Sequence, residues 1–535
     1  MPLTRIVASV LREVWDQTTP QDGNTIQTIE TGIRCHEASL ARVRARLIIG
    51  DIVGTPEIST VSSVNNGFLV LTVTNSADAG NTATWTVDVQ FTHSMQQARS
   101  SATPVVAPPT MLAFGSGGMA SLTSMIAMYR SLRIVTPEMF RAGGLGVTDD
   151  TAAIQAACDS FGGESGVVYF PGRYLISSVI TVPSRVTVCG PATLLSSSGI
   201  AEPVATGGGV LLCNNYANFS FLRLSSYSAV ANLVFDAPDA APVLTGGRVI
   251  DISDSVNVRL DGITVMRAYD SIAIVNAAHN LNACYLNTIQ LYNTTRYAIH
   301  LEHAVGIYVN GFLISNPNYI GTSYGFYFVQ STATVQITNG TMWGLGQLCW
   351  IQGGALGSMY TEADDIHFSQ FDLDNAVVGS CVYAENVTNF TMNGLWIGHA
   401  AASDGVQLYS GEGIHIHDCS VLDHYYGGIS VFSGAAGVHI KNNTIVANNR
   451  SNNPSGDGVH VGNGASRIYI QGNRISNTQA YLTIVGYQRY GVRYGESPNA
   501  QNQYIIKDND LVGNVTAGLL DNGTGVNKIV TPNLL

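Results

Sequence analysis

The densest run of acidic residues is Glu362-Ala363-Asp364-Asp365, with His367 close behind and Asp372 and Asp374 just beyond. Such a run matters because glycosidic hydrolysis uses two carboxyls roughly 5–9.5 Å apart, one of them kept protonated. Residues two apart on one strand, or side by side on neighbouring strands, reach that separation. A rival is His300-Leu301-Glu302-His303, which sets a carboxyl beside two imidazoles. Asp404, Glu412, Asp418 and Asp423 form a third, looser set. Glu362, Asp364, Asp365 and Glu302 are therefore the candidate catalytic residues. Each could equally serve a solvated loop or a polar network between subunits.

These residues sit inside a repeat. From residue 186 onward the pattern apolar-x-apolar-(Asn/Asp)-x-x-x-apolar recurs, with segments starting at 258, 284, 307, 335, 361, 390, 414, 438, 468 and 504. A period of mostly 23–30 residues, built of short strands and Asn/Gly turns, is one coil of a solenoid per repeat. It predicts twelve to fourteen coils, each rising about 4.8 Å. Upstream of each segment lies a second strand, so two outward columns can be written. One reads Asp251, Ala273, His300, Tyr327, Val382, Gln407, Ser430, His460, Arg493. The other reads Arg259, Tyr285, Tyr308, Gln336, Glu362, Thr391, His415, His439, Tyr469. Tyr285, Tyr308, Gln336, His300, Tyr327 and His415 are the candidate substrate-binding residues, because such side chains stack on sugar rings and hydrogen-bond hydroxyls. The competing reading is an ordinary exposed sheet, or a face buried between subunits. The Asn and Asp that follow the strands, such as Asn287, Asn442 and Asp508, read as turn-formers stacked in a ladder.

Composition agrees with a mainly β protein. Only 12% of residues are charged and 56 are Gly, which suits strands and tight turns. The 25 basic against 37 acidic residues give a net charge of −12. That balance excludes the basic face of a nucleic-acid binder. The eight cysteines show no CxxC or zinc-like spacing and read as buried free thiols, so no metal or other cofactor is expected. No apolar run reaches membrane-span length and no secretory signal is expected at the N-terminus. Residues 3–15 carry apolar positions at helical spacing. Residues 46–92 alternate with period two and predict a small antiparallel domain. Residues 98–120 read as a Pro/Ser/Ala/Gly linker and 121–132 as a short helix. The expected organisation is an N-terminal β-rich domain over 1–97, a linker and helix over 98–134, and the solenoid over 135–535.

Residues 140–194 open the solenoid. Thr148-Asp149-Asp150 precede an apolar helical pattern at Ala152, Ile154 and Ala157, and Gly162-Gly163 end it. Three β-rich runs follow: Val167–Phe170, Tyr174–Ile176 and Val186–Val188. The GVTDDTAAIQAA helix and the VVYFPGRYLI segment resemble the opening module of pectate-lyase-like proteins, which include many phage tailspikes. The match spans roughly 50 residues and departs at Leu145, where an acidic residue is usual. The resemblance implies a right-handed, single-stranded parallel β-helix whose first coil is covered by this helix. It further implies a homotrimeric spike, attached to virion structural proteins through its N-terminal domain. Such a spike works outside the cell, binding and cleaving a bacterial surface polysaccharide without inserting into membrane. A non-catalytic adhesive spike and a polysaccharide lyase are the alternatives. The polygalacturonase signatures, an Asn-Thr-Asp and a paired Asp-Asp with a Gly-His-Gly, are not found as a set.

Overall fold

The computed structural model describes the backbone of eight strands between residues 5 and 91, and residues 133–535 apart from short segments. Those segments lie within 192–208 and at 214–219, 237–245, 317–320, 355–361, 455, 478–486, 500–502 and 524–526. The expected linker and helix over 98–132 lie outside the described residues. The chain divides into two compact units, Met1–Leu122 and Thr123–Leu535.

The first unit holds two antiparallel sheets. One joins Arg5–Val10, Thr84–Phe91 and Ala41–Ile49, and the other joins Thr25–Arg34, Phe68–Asn75 and Thr60–Asn65. Arg5–Val10 is a strand, not the helix that its spacing predicts. It pairs residue for residue with Trp85–Gln90. Residues four apart share a face in a strand as they do in a helix, so pairing decided between the two readings.

The second unit is a parallel β-solenoid of about 12 turns. Each coil contributes to three faces, called here sheet 3 (Val406–Leu408 in one coil), sheet 1 (Gly411–His417) and sheet 2 (Ser420–Leu422). Sheet 1 carries Arg259, Tyr285, Tyr308, Gln336, His367, Thr391, His415, His439 and Tyr469 in register. Their neighbours Leu260, Leu286, Val309, Ile337, Phe368, Met392, Ile416, Ile440 and Ile470 point inward and are buried. Alternation along each strand thus sorts one residue to the core and the next to the surface. Left-handed backbone turns separate the faces. Asn257, Asp365 and Asn389 bend the chain into sheet 1, and Gln370, Asp418 and Asn442 bend it out. Asn375, His399 and Asp423 turn from sheet 2 toward sheet 3. Asn and Asp dominate because their short polar side chains tolerate positive φ better than most.

The register corrects three details of the sequence alignment. Gln336 pairs with His367, so the fifth segment starts at Ile366 and Glu362 is not in the sheet 1 column. A coil omitted from the sheet 3 column runs through Gln347–Gln352 and puts Trp350 between Tyr327 and Tyr383. Val382 is an inward, fully buried residue, and Tyr383 takes the outward place. The asparagine ladder is also one residue further on than expected. Asn443, Asn473, Asn509 and Asn533 stack beneath the turns, each amide nitrogen donating to the next Oδ1 at 2.9–3.0 Å.

Helix α1 (Thr151–Asp159) covers the open end with Ile154, Ala157 and Cys158. Its cap differs from the simple reading. Asp149 Oδ1 accepts from Thr151 N at 3.0 Å. Asp150 instead turns back to accept from Gly143 N at 2.6 Å and Gly144 N at 3.3 Å. Gln155 meets the first coil as a strand would: its amide donates to Thr181 O at 3.0 Å and accepts from Thr181 N at 2.8 Å.

The core is locally tight. Phe312, Gly340 and Phe371 follow one another in one column, and the Phe312 and Phe371 rings meet across the glycine at 5.3 Å. A Cβ on Gly340 would lie 2.4 Å from the Phe312 ring. Gly340→Ala is therefore expected to cost about 1–3 kcal/mol through overpacking. A melting temperature equal to wild type would show that the rings can move aside.

Candidate functional site

Sheet 3 carries an open cleft of about 540 Å³, lined by Arg248, Arg296, Tyr297, His300, Glu302 and Tyr327, together with Val329, Gln330, Gln352 and Gly353. Ile299 and Leu301 are buried in the core, so the alternation turns His300 and Glu302 outward. His300 packs against Tyr297 and Tyr327, with ring centroids 4.7 and 5.2 Å away, and its side chain is only 9% exposed. Neither ring nitrogen has a hydrogen-bond partner in the protein. Glu302 Oε2 stands 3.6 Å from Nε2. Burial, and then the charges of Arg248 and Arg296, push the His300 pKa down to about 3. The imidazole is neutral and offers one donor and one acceptor.

Both arginines are tied to carboxylates. Arg296 Nε donates to Oδ1 of the buried Asp270 at 2.8 Å and its Nη2 donates to Oδ2. The guanidinium lies over the Tyr269 and Tyr297 rings at 4.5 and 4.4 Å. Arg248 Nη1 donates to Asp251 Oδ1 at 3.4 Å and to Ser253 Oγ at 3.1 Å.

A row of rings continues from the cleft along the same sheet. Tyr324 meets Tyr327 and Trp350, Trp350 stacks on Tyr383 at 3.9 Å, and Tyr409 stacks on Phe432 at 4.3 Å. Tyr383 and Tyr409 close the row at 4.9 Å. Stacked rings cover one another's faces, so the row offers edges and polar tips to solvent. Among those polar groups, Glu385 Oε2 accepts from Tyr383 Oη at 2.8 Å and from Gln352 Nε2 at 2.9 Å.

The six binding candidates divide between two faces. His300 and Tyr327 line the cleft, whereas Tyr285, Tyr308, Gln336 and His415 stand on sheet 1. Tyr285 and Tyr308 stack on each other at 5.0 Å, and His415 stacks on His439 at 4.7 Å. Their faces meet neighbours in the same column.

The acidic run divides as well, because the chain turns at Asp365 and again at Gln370. Glu362 accepts from Thr388 Oγ1 at 2.5 Å, and its Cα lies 3.0 Å from where a Cβ on Gly353 would stand. Asp364 accepts from Asn389 Nδ2 at 3.1 Å, and Asp365 lies 2.8 Å from His367 Nε2. Asp372 and Asp374 continue onto sheet 2. Asp374 Oδ1 lies 2.5 Å from His399 Nδ1, and Asp423 Oδ2 lies 2.8 Å from His399 Nε2. Arg450 Nε approaches Asp423 Oδ1 at 3.2 Å. The first and third acidic sets therefore meet through a histidine that the sequence reading had not singled out. Arg248, Arg296, Tyr297, Trp350 and Tyr383 were also missed. The recurrence of Tyr324, Trp350, Tyr383, Tyr409 and Phe432 at coil-like intervals was the available signal for the rings.

His399 is held between two carboxylates as an imidazolium. Its hydrogen bonds to Asp374 and then Asp423 raise its pKa from 6.5 to about 9. A raised folded-state pKa means that the stabilisation is complete below about pH 6.5 and is lost as the pH climbs through 9. The melting temperature is expected to fall across that window, and to fall less in His399→Gln. Identical profiles for the two proteins would count against the clamp.

In comparisons with solved structures, the chain is similar to tailspike protein 3 of bacteriophage CBA120, with a TM-score of 0.50 and 12% identity, covering 76% of this chain and 62% of that one. It is also similar to the A-module of mannuronan C-5 epimerase AlgE4 from Azotobacter vinelandii, at TM-score 0.49 and 16% identity, covering 74% of this chain and 100% of that one. The Dettilon tailspike protein gives TM-score 0.43 and 13% identity, with 73% and 69% covered. At 12% identity the likeness to the bacteriophage CBA120 protein is one of fold. No curated protein matches the sequence. The model of a pectate-lyase-like family, described as rhamnogalacturonase A/epimerase, matches residues 138–427, more than half of the chain, and the protein belongs to that family.

Proposed function

We propose that the protein is a spike of a bacteriophage or phage-like particle that binds a bacterial surface polysaccharide along sheet 3. The observation that carries this reading is His300: a neutral, nine-tenths buried imidazole with no protein hydrogen-bond partner, on the floor of an open cleft. Hydroxyl-rich polymers supply both the donors and the acceptors that such a group lacks. The polar edge running from Glu302 past Gln352 and Glu385 would extend the contact over further sugars. The N-terminal β-rich unit over 1–97 would attach the spike to virion proteins, and the spike would assemble as a homotrimer. Both of these follow from the family resemblance of the opening module.

A second reading, in which a polymer passing from sheet 3 onto the neighbouring sheet 2 is hydrolysed there, is favoured by Asp372 and Asp374. Two strand rises, about 6.6 Å, separate their Cα atoms, within the range used by glycosidic carboxyl pairs. Their surroundings differ in the way an acid and a base require. Desolvation and the adjacent Asp374 charge push the Asp372 carboxyl up. Asp374 faces the His399 imidazolium at 2.5 Å. Glu302 is a single carboxylate in the cleft. Glu362, Asp364 and Asp365 have hydrogen-bond partners, as Asp374 has in His399; the action of the Asp374 charge on Asp372 is what makes those two the candidate pair.

The test is incubation of the purified chain with surface polysaccharides from candidate hosts, reading binding and chain length by size-exclusion chromatography. Tyr327→Ala is expected to weaken binding about tenfold or more, as loss of an aromatic anchor does. Unchanged affinity in that variant would remove the cleft from the binding surface. If the polymer is shortened, Asp372→Asn and Asp374→Asn are each expected to slow cleavage about 10²–10⁴-fold while binding persists. New reducing ends identify a hydrolase. An unsaturated product absorbing in the ultraviolet would identify a lyase and exclude the carboxyl-pair mechanism.

A further inference from the structure

We infer that the sheet 3 cleft takes an uncharged sugar residue and discriminates against its uronate counterpart. The inference rests on the polysaccharide-binding reading and names the chemical class that this site selects.

Charge accounting around the cleft carries it. Two guanidiniums face the cleft; Arg296 has Asp270, and Arg248 shares Asp251 with Arg223. Arg296 is held in a two-point pair with the fully buried Asp270, its plane stacked over Tyr269 and Tyr297. Arg248 is turned to Asp251 and Ser253. These guanidiniums present directed N–H donors, and the three charges of Arg223, Arg248 and Arg296 are set against the three carboxylates of Asp251, Asp270 and Glu302. Glu302 pairs with neither guanidinium, and its nearest basic neighbour is His300, 3.6 Å away. That imidazole is neutral, since burial and the two arginine charges hold its pKa near 3.

A sugar carboxylate entering here would bring a fourth carboxylate into a half-enclosed space where three guanidiniums already face three. A hydroxymethyl group in the same position meets no such penalty. Sugar hydroxyls can donate to Glu302, and a shift of the His300 ring would bring its two unpartnered nitrogens to them. A site built to hydrogen-bond hydroxyls in this way rejects analogues that leave its buried groups unpaired. The family description refers to a rhamnogalacturonase and epimerases, so the preference is a property of this chain's own residues.

The experiment uses the full chain and three matched pairs of methyl glycosides: glucoside and glucuronide, galactoside and galacturonide, mannoside and mannuronide. Binding is read by saturation-transfer NMR. At least one uncharged member is expected to bind, and its signal to fall about fivefold or more in His300→Phe. Every uronate twin is expected to bind more weakly than its neutral partner. Glu302→Gln preserves shape, removes the repelling charge and is expected to narrow the difference between twins. A uronate binding as well as its neutral twin in the wild type overturns the inference, as does an unchanged signal in His300→Phe or silence from all six sugars. Polymer binding separates the two levels. If the polymer binds and Tyr327→Ala weakens it while uronates are preferred, the selectivity fails and the binding reading survives. If Tyr327→Ala leaves polymer binding unchanged, the binding reading itself fails.

Discussion

A single coil of this solenoid satisfies almost none of its own backbone donors and acceptors. Nearly every strand bond runs to the coil above or below, so each turn of chain is stable only because its neighbours exist. Everything else follows from that dependence. The inward columns must match in size from coil to coil, as Phe312 and Phe371 do across Gly340. The corners must repeat with the same handed turn, which is why Asn, Asp and Gly recur there. The first coil has no predecessor, and α1 with its strand-like Gln155 takes that place.

The site depends on the same stacking. His300, Tyr327 and Trp350 are distant in sequence but occupy successive outward places on sheet 3. Asp374, His399 and Asp423 come together because consecutive corners stack. A β-helix thus assembles chemistry from single residues contributed by several coils, with no continuous motif to read. The two clusters also handle charge in opposite ways. The cleft sets its cations beside buried carboxylates and keeps its histidine uncharged. The corner keeps its histidine charged by placing carboxylates on both sides.

The fold was legible because its cause is periodic. Inward residues such as Leu286, Val309 and Ile337 follow one another at coil spacing, and the GVTDDTAAIQAA helix marks the start. The alignment slipped where the period was carried by other residues. The coil at Gln347–Gln352 presents Cys349-Trp350-Ile351 with no Asn behind it, and was passed over. The acidic run at 362–365 leads into the strand Ala363–Asp374, but the chain turns a corner at Asp365, so these residues fall outside the sheet 1 column. The site was less legible, because tyrosines in one column stack on each other or on a ligand with the same sequence pattern. What separates Tyr285 from Tyr327 is the cleft beside the latter, and a cleft has no signature in spacing.

Bonds that join coils point along the solenoid axis, and this gives the unit direction-dependent mechanics. Pulling on its two ends loads those bonds in series, one layer after another, so resistance is set by the weakest layer. Pushing instead loads the filled columns of side chains, with the Asn443–Asn473–Asn509–Asn533 ladder among them. The described cysteines are free thiols, so no covalent cross-link bridges the layers among them. Such a body bears compression far better than tension.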